Sequence, residues 1–218
     1  ARIWREKLIE HKWDIETSLL FGSQASVDSV QYTQGAVDFI INYGNIFSGS
    51  GMGGTGTKAQ DDFLDDMSQF LDPRHNNANA TLFMVSTDVF NWLHKLSGYF
   101  SANVQKVGTQ SDGIGRADFS IGGKKNVFGI DITQIYTPYG IMNTARNVHL
   151  DGTQVKMLGC NMSNCKYRPL VGNGLNRDTA IYVGVQTLEN SGVDRRVDLI
   201  QTEAGMEWQM PEAHAIWK

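Results

Sequence analysis

The sequence predicts a mixed α+β fold in which amphipathic helices dominate the first half and short strands the second. Three observations carry that expectation. Apolar residues recur at helical spacing from Ile3 to about Phe21 and again from Lys58 to Leu71. From Val127 onward, short β-prone runs broken by Gly, Pro and Asn take over. Between Thr179 and Thr187, Ile181, Val183 and Val185 alternate with Tyr182, Gly184 and Gln186, the pattern of a strand with one buried face.

The first helix rests on Trp4, Leu8, Ile15 and Leu19, with Trp13 and Leu20 widening the stripe and charged residues filling the other face. Gly22 stands where a left-handed cap is expected, and the Ser23 to Ser26 stretch reads as loop. Gly35 to Phe47 is apolar and aromatic. The run from Ser48 to Thr57 that follows is too rich in glycine for regular structure and is expected to be an exposed loop. In the second helix, Lys58 to Leu71, the stripe is Phe63, Leu64, Met67, Phe70 and Leu71; acids crowd its first half, as the helix dipole favours, and it stops before Pro73.

Thr81 to Val85 is a short strand. Ser86 or Thr87 then caps a third helix carrying Val89, Phe90, Trp92, Leu93 and Leu96. Strands are expected in Val127 to Tyr136, Gly140 to Leu150 and Gln154 to Leu158. After the alternating strand comes a turn at Glu189-Asn190-Ser191-Gly192, then strands in Val193 to Thr202 and Met206 to Met210. The chain closes on His214-Ala215-Ile216-Trp217-Lys218 without a polar tail, and it shows no internal repeat.

Composition narrows the function classes. At 218 residues and 41% hydrophobic, the chain suits one large domain or two small lobes. With 19 Lys and Arg against 23 Asp and Glu, its net charge of −4 offers no diffuse attraction to phosphate backbones or anionic lipid. No stretch reaches the roughly 20 apolar residues that span a bilayer, so a soluble protein with no membrane partner is expected. The first residues lack an initiator Met and a signal core and already read as helix, so the chain is expected to begin within a domain.

Motifs that would carry chemistry are weak. Gly49-Ser50-Gly51-Met52-Gly53-Gly54 fits the dinucleotide pattern in form, yet the acid expected about 20 residues on, at the end of a second strand, is replaced by Asp72 after a helix. Gly51 to Gly56 resembles a phosphate loop, but Thr57 separates the last glycine from Lys58. Asp61, Asp62, Asp65 and Asp66 would suit a divalent cation, although a solvated helix face is the commoner arrangement. His11, His75, His94, His149 and His214 lie far apart, with no pair spaced for one helix face. Cys160 and Cys165 read as reduced structural thiols, with a disulfide as the alternative. No catalytic, cofactor or metal residue is singled out, and no enzyme is expected.

Two segments, and the end of the chain with them, resemble the phage major capsid proteins of the Hong Kong 97 type. Arg5 to Glu16, followed by Leu19-Leu20-Phe21-Gly22, is similar to that family's spine helix. Gly35-Ala36-Val37-Asp38-Phe39-Ile40, the glycine run, the helix near Asp61 to Leu71 and Thr81-Leu82-Phe83-Met84-Val85 follow the order of its axial domain. Arg177-Asp178-Thr179-Ala180, Ser191 to Arg196 and Glu203 to Trp208, leading into Glu212 to Ala215, resemble its closing strands. The family's N-terminal arm and extended loop precede the spine helix and have no counterpart in these residues. The Lys and Asn partners that cross-link some members are not identifiable, so cross-linking is not carried over.

The resemblance implies a Hong Kong 97-type α+β fold, with residues 1–30 as the spine helix of a peripheral domain, 31–171 as the axial domain and 172–218 as the closing peripheral strands. It implies self-assembly into pentamers and hexamers of an icosahedral phage head around double-stranded DNA, without sequence-specific contact. The subunit would assemble in the host cytoplasm, with scaffold, portal and decoration proteins as further partners. Trp4, Trp13, Trp92, Trp208 and Trp217 are scattered, as a subunit with several contact edges requires. The alternatives are an encapsulin-like compartment shell and, ranked lower, a nucleotide-binding enzyme using Gly49 to Lys58.

Overall fold

The computed structural model describes residues 2–54, 57–77, 80–104, 120–127, 130–172, 174–186 and 192–218. In chain order the elements are α1 (Arg2–Phe21), β1 (Ala25–Val27), β2 (Val30–Tyr32), α2 (Ala36–Tyr43), β3 (Asn45–Phe47), α3 (Gln60–Phe70), β4 (Thr81–Val85) and α4 (Thr87–Val104). There follow β5 (Ser120–Val127), β6 (Ile130–Thr137), β7 (Gly140–Arg146), β8 (Met157–Asn161), β9 (Cys165–Pro169), β10 (Val171–Gly172) and β11 (Leu175–Asn176). The last are β12 (Ala180–Gln186), β13 (Val197–Gln201), β14 (Ala204–Trp208) and β15 (His214–Trp217).

The chain divides into two units: the first gathers Ala1–Asp38 and Lys166–Trp208, the second Phe39–Cys165 and Gln209–Lys218. Residues 209–218 therefore group with the second unit, whereas the sequence reading puts all of 172–218 with the first helix. Strand pairing is the reason. The second unit is built on a mixed seven-stranded sheet in the order β3-β15-β8-β4-β7-β6-β5, and β15 lies inside it, parallel to β3 and antiparallel to β8.

Strands β8 and β15 are buried along their whole length, as strands covered on both faces must be. Trp217 is fully buried, stacked on Phe47 with ring centroids 5.0 Å apart, edge-on to Phe70 at 5.8 Å, and donating its indole N–H to Asp66 Oδ2 at 3.0 Å. The expected stripe of α3 is buried here, together with Val89, Trp92 and Leu93 of α4. The side chain of Leu96 lies outside the described part. Gly159 in β8 is a packing requirement: a Cβ would stand 2.8 Å from the Phe70 ring.

Several expectations need correction. The glycine run is not simply exposed: Met52 enters the core and the Gly49 N–H donates to the Lys218 carbonyl at 2.8 Å. The strand expected over Gln154 to Leu158 lies at Met157–Asn161, because Thr153 and Val155 are held in the turn before it. Neither Ser86 nor Thr87 caps α4 with its own side chain. Ser86 Oγ is buried with no partner among the described residues, and Asp151 reaches in from elsewhere, accepting the Thr87 N–H and hydroxyl at 2.7 Å each. Those bonds hold the Asp151 carboxyl below its ordinary pKa.

The first unit pairs α1 with small ribbons, β1-β2, β10-β11, β12-β13 and β14-β9. Asp28 and Ser29 both have positive φ in the β1-β2 turn, the backbone of a twisted two-residue hairpin, and β1 takes in Ala25 and Ser26, which the sequence reading gives as loop. Gly22 is not left-handed. It is needed for close approach, since a Cβ would run into the carbonyl oxygens of Ser18 and Thr33. In β12 the expected buried face is missing, because Ile181, Tyr182, Val183 and Val185 are all exposed. The turn at Glu189-Asn190-Ser191 lies outside the described residues.

Two outcomes follow for the second unit. Trp217→Ala should destabilise it by ~3–5 kcal/mol, as large aromatic truncations in cores do, read by denaturant unfolding monitored within this unit. Asp151→Ala should cost only about 1 kcal/mol, the value of a helix cap, in the same measurement.

Candidate functional site

The glycine run was the strongest sequence candidate for a ligand site, and the structure places it between β3 at the sheet edge and α3. Its lysine is committed internally. Lys58 Nζ donates to the Ser48 carbonyl and to Asp66 Oδ2, each at 2.6 Å, and its side chain is only 7% exposed. The same Asp66 oxygen accepts the Trp217 indole N–H. Asp66 is thus tied into the core while Asp61, Asp62 and Asp65 lie on the exposed face of α3. Among the described residues no cluster of His, Cys, Asp and Glu is arranged to hold a metal.

The histidines are not brought together. His11 pairs with Thr202 Oγ1 at 2.8 Å in the first unit, and His94 Nδ1 lies 2.9 Å from the Phe90 carbonyl in the second. His214 is fully buried in β15. Its Nδ1 faces the Asn161 N–H at 3.3 Å, which can only donate, and its Nε2 faces the Gln209 carbonyl at 3.0 Å, which can only accept. The ring is therefore neutral with the proton on Nε2, and burial lowers its pKa. Close by, Asn76 Oδ1 accepts from Thr81 at 2.9 Å and from Asn161 at 3.2 Å, completing a buried polar network.

Both cysteines are free. Cys160 is buried and burial raises its pKa; Cys165 is pushed up to about 12 by burial and donates to the Asn161 carbonyl at 3.3 Å. Neither is a thiolate under ordinary conditions, so neither has the character of a nucleophile.

What remains is surface. In the first unit, only Leu20 and Ala36 are buried among the described apolar side chains. Trp4, Leu8, Ile15 and Leu19 form the expected stripe of α1 but stay half-buried, and Trp13 is exposed. Two open grooves border α1. One of about 470 Å3 is lined by Ile3, Trp4, His11 and Ile200 with charged residues at its rim, and one of about 290 Å3 by Trp4, Leu8, Ile181 and Val183. In the second unit, a groove of about 700 Å3 opens on one sheet face between Leu82, Ile132, Ile141 and Met162. Sequence reasoning foresaw contact edges from scattered tryptophans, but Trp92 and Trp217 are core residues. The informative side chains are the aliphatic ones of β12, whose alternation gave no hint that both faces are open.

The model of one protein family, described as SU10 major capsid protein, matches residues 4–218. No curated protein matches the chain.

Stability of the second unit should depend on pH through His214. Its folded pKa lies below the ordinary 6.5, so the unfolded chain binds the proton first. The stabilisation is full above the unfolded value and is lost as pH falls toward the depressed folded value. The unfolding midpoint of the native chain is expected to drop as pH falls below the ordinary histidine value, and His214→Gln should flatten that part of the profile.

Proposed function

The chain belongs to the SU10 major capsid protein family, a structural protein of the bacteriophage virion, and from that membership we propose that its copies form an icosahedral head around double-stranded DNA. The family match, running from residue 4 to residue 218, carries the reading, because it takes in both units rather than one motif. Pentamers and hexamers are the proposed capsomers, joined by heterologous contacts that close into rings. A Hong Kong 97-type arrangement is proposed, with α1 as the spine helix, the first unit as the peripheral domain and the second as the axial domain. The 20-residue length of α1 and the self-sufficient core of the second unit support it.

A net charge of −4 suits a wall that meets packaged DNA without holding it by sequence or by strong attraction. Assembly in the host cytoplasm, with scaffold, portal and decoration proteins as partners, belongs to the same reading. No helix among the described residues is long and apolar enough to cross a membrane. Against the nucleotide alternative stands Lys58, which is paired with Asp66 inside the unit.

The test is expression of the full-length protein, alone and with its scaffold, followed by light scattering and negative-stain electron microscopy. Closed shells or five- and six-membered rings are expected. A strict monomer under both conditions would count against the reading.

A further inference from the structure

We propose that the β12-β13 ribbon, which carries the apolar pairs Ile181-Ile200 and Tyr182-Leu199 on its two faces, is completed by a second copy of this chain. The proposal rests on the shell reading above and adds to it a location.

The ribbon lacks what a two-stranded sheet needs to stand alone. An isolated hairpin is marginal in water unless a further strand or a helix covers it. Here Ile181 pairs with Ile200 and Tyr182 with Leu199, so each face of the ribbon carries an apolar cross-strand pair. On the side that faces the grooves beside Trp4, Ile181 is still 52% and Val183 62% exposed. On the other side Tyr182 is 49% and Leu199 45% exposed. The sheet has two members only, so the outer edges of both strands are unpaired among the described residues. Gly184, at φ +70, bulges the strand, and its N–H is held by Asp198 Oδ1 at 2.7 Å. That bond keeps the ribbon's shape without covering its apolar side chains.

Charge argues for a like partner. Arg196 pairs with Asp198, Arg177 with Glu203 and Arg168 with Glu207, while Arg195 donates to Gln186. These four arginines are thus neutralised or hydrogen-bonded within their own unit, and acids and bases are interspersed around the ribbon, so no single-sign field selects an acidic or basic stranger. An apolar edge with self-neutralised flanks fits another apolar edge. A capsid family supplies that partner, since every neighbour in a shell presents the same ribbon. The shortage of buried apolar side chains across the whole first unit points the same way: its elements are ordered fully by assembly rather than by the subunit alone.

Hydrogen exchange on the full chain, as free subunits and as assembled particles, tests this. Amides of Ala180–Gln186 and Val197–Gln201 should exchange roughly tenfold or more slowly in particles, while β8 and β15 stay protected in both states. Tyr182→Ser and Leu199→Ser should leave β8 protection unchanged and raise the concentration needed for assembly by about tenfold or more. Shells that form with the ribbon still exchanging freely, or a ribbon already protected in free subunits, would overturn the proposal and leave the shell reading standing. So would protection that needs a second kind of protein, or variants that assemble at the native concentration. A native chain that never assembles, with or without scaffold, would sink both.

Discussion

The insertion of β15 between β3 and β8 is the constraint on which the second unit depends. It brings Trp217 under Phe47 and against Phe70, gives Asp66 an indole donor as well as the Lys58 ammonium, and places His214 against Asn161. Apart from the Lys58–Asp66 pair, each of those contacts joins segments far apart in the chain, so the core is largely a set of mutually dependent long-range contacts. The acidic residue that looked like a candidate cation ligand and the lysine that looked like a phosphate ligand are both absorbed into that arrangement. Most polar groups described in this interior are matched to one another, as a low-dielectric surrounding favours, with Ser86 Oγ and Thr144 Oγ1 as the exceptions.

The first unit follows a different logic. It consists of a long helix and ribbons of two strands, with apolar side chains that its own elements leave in contact with water. A domain of that kind gains little from collapse on itself and much from being surrounded. In a shell-building protein the division has a physical sense. One unit brings its own hydrophobic core, and the other keeps apolar area in reserve for neighbours that are chemically identical to it.

Local periodicity made α1, α3, β4 and α4 legible, because their apolar residues sit at the spacing the final burial uses. Phe63, Leu64, Met67, Phe70 and Leu71 are the clearest case. The sequence was silent where a distant partner decides the outcome. His214–Trp217 is too short to read as a strand, and only its pairing with β3 and β8 makes it one. Asp151 caps α4 from 64 positions away, which no local cap motif can reveal. Alternation in β12 signalled a strand but not its surroundings, since an interface face and a core face carry the same residues. As for the site, motif reasoning gave little weight to the glycine run, and its surface argument rested on tryptophans, two of which are core residues.

The position of β15 in the chain also sets an order of events during synthesis. The Asn45 side chain donates to the His214 carbonyl across 169 positions, so β3 waits for its neighbour until most of the chain has been made. The whole 166–208 segment of the first unit is translated in the interval. A nascent subunit therefore carries its ribbons before its sheet is complete, and the large core closes late. Contacts of such long sequence separation form slowly, and open strand edges in the meantime are prone to wrong pairing. A protein made in many copies at once is exposed to that hazard in proportion to its own abundance, which makes the delay before β15 arrives the interval in which a chaperone would matter most.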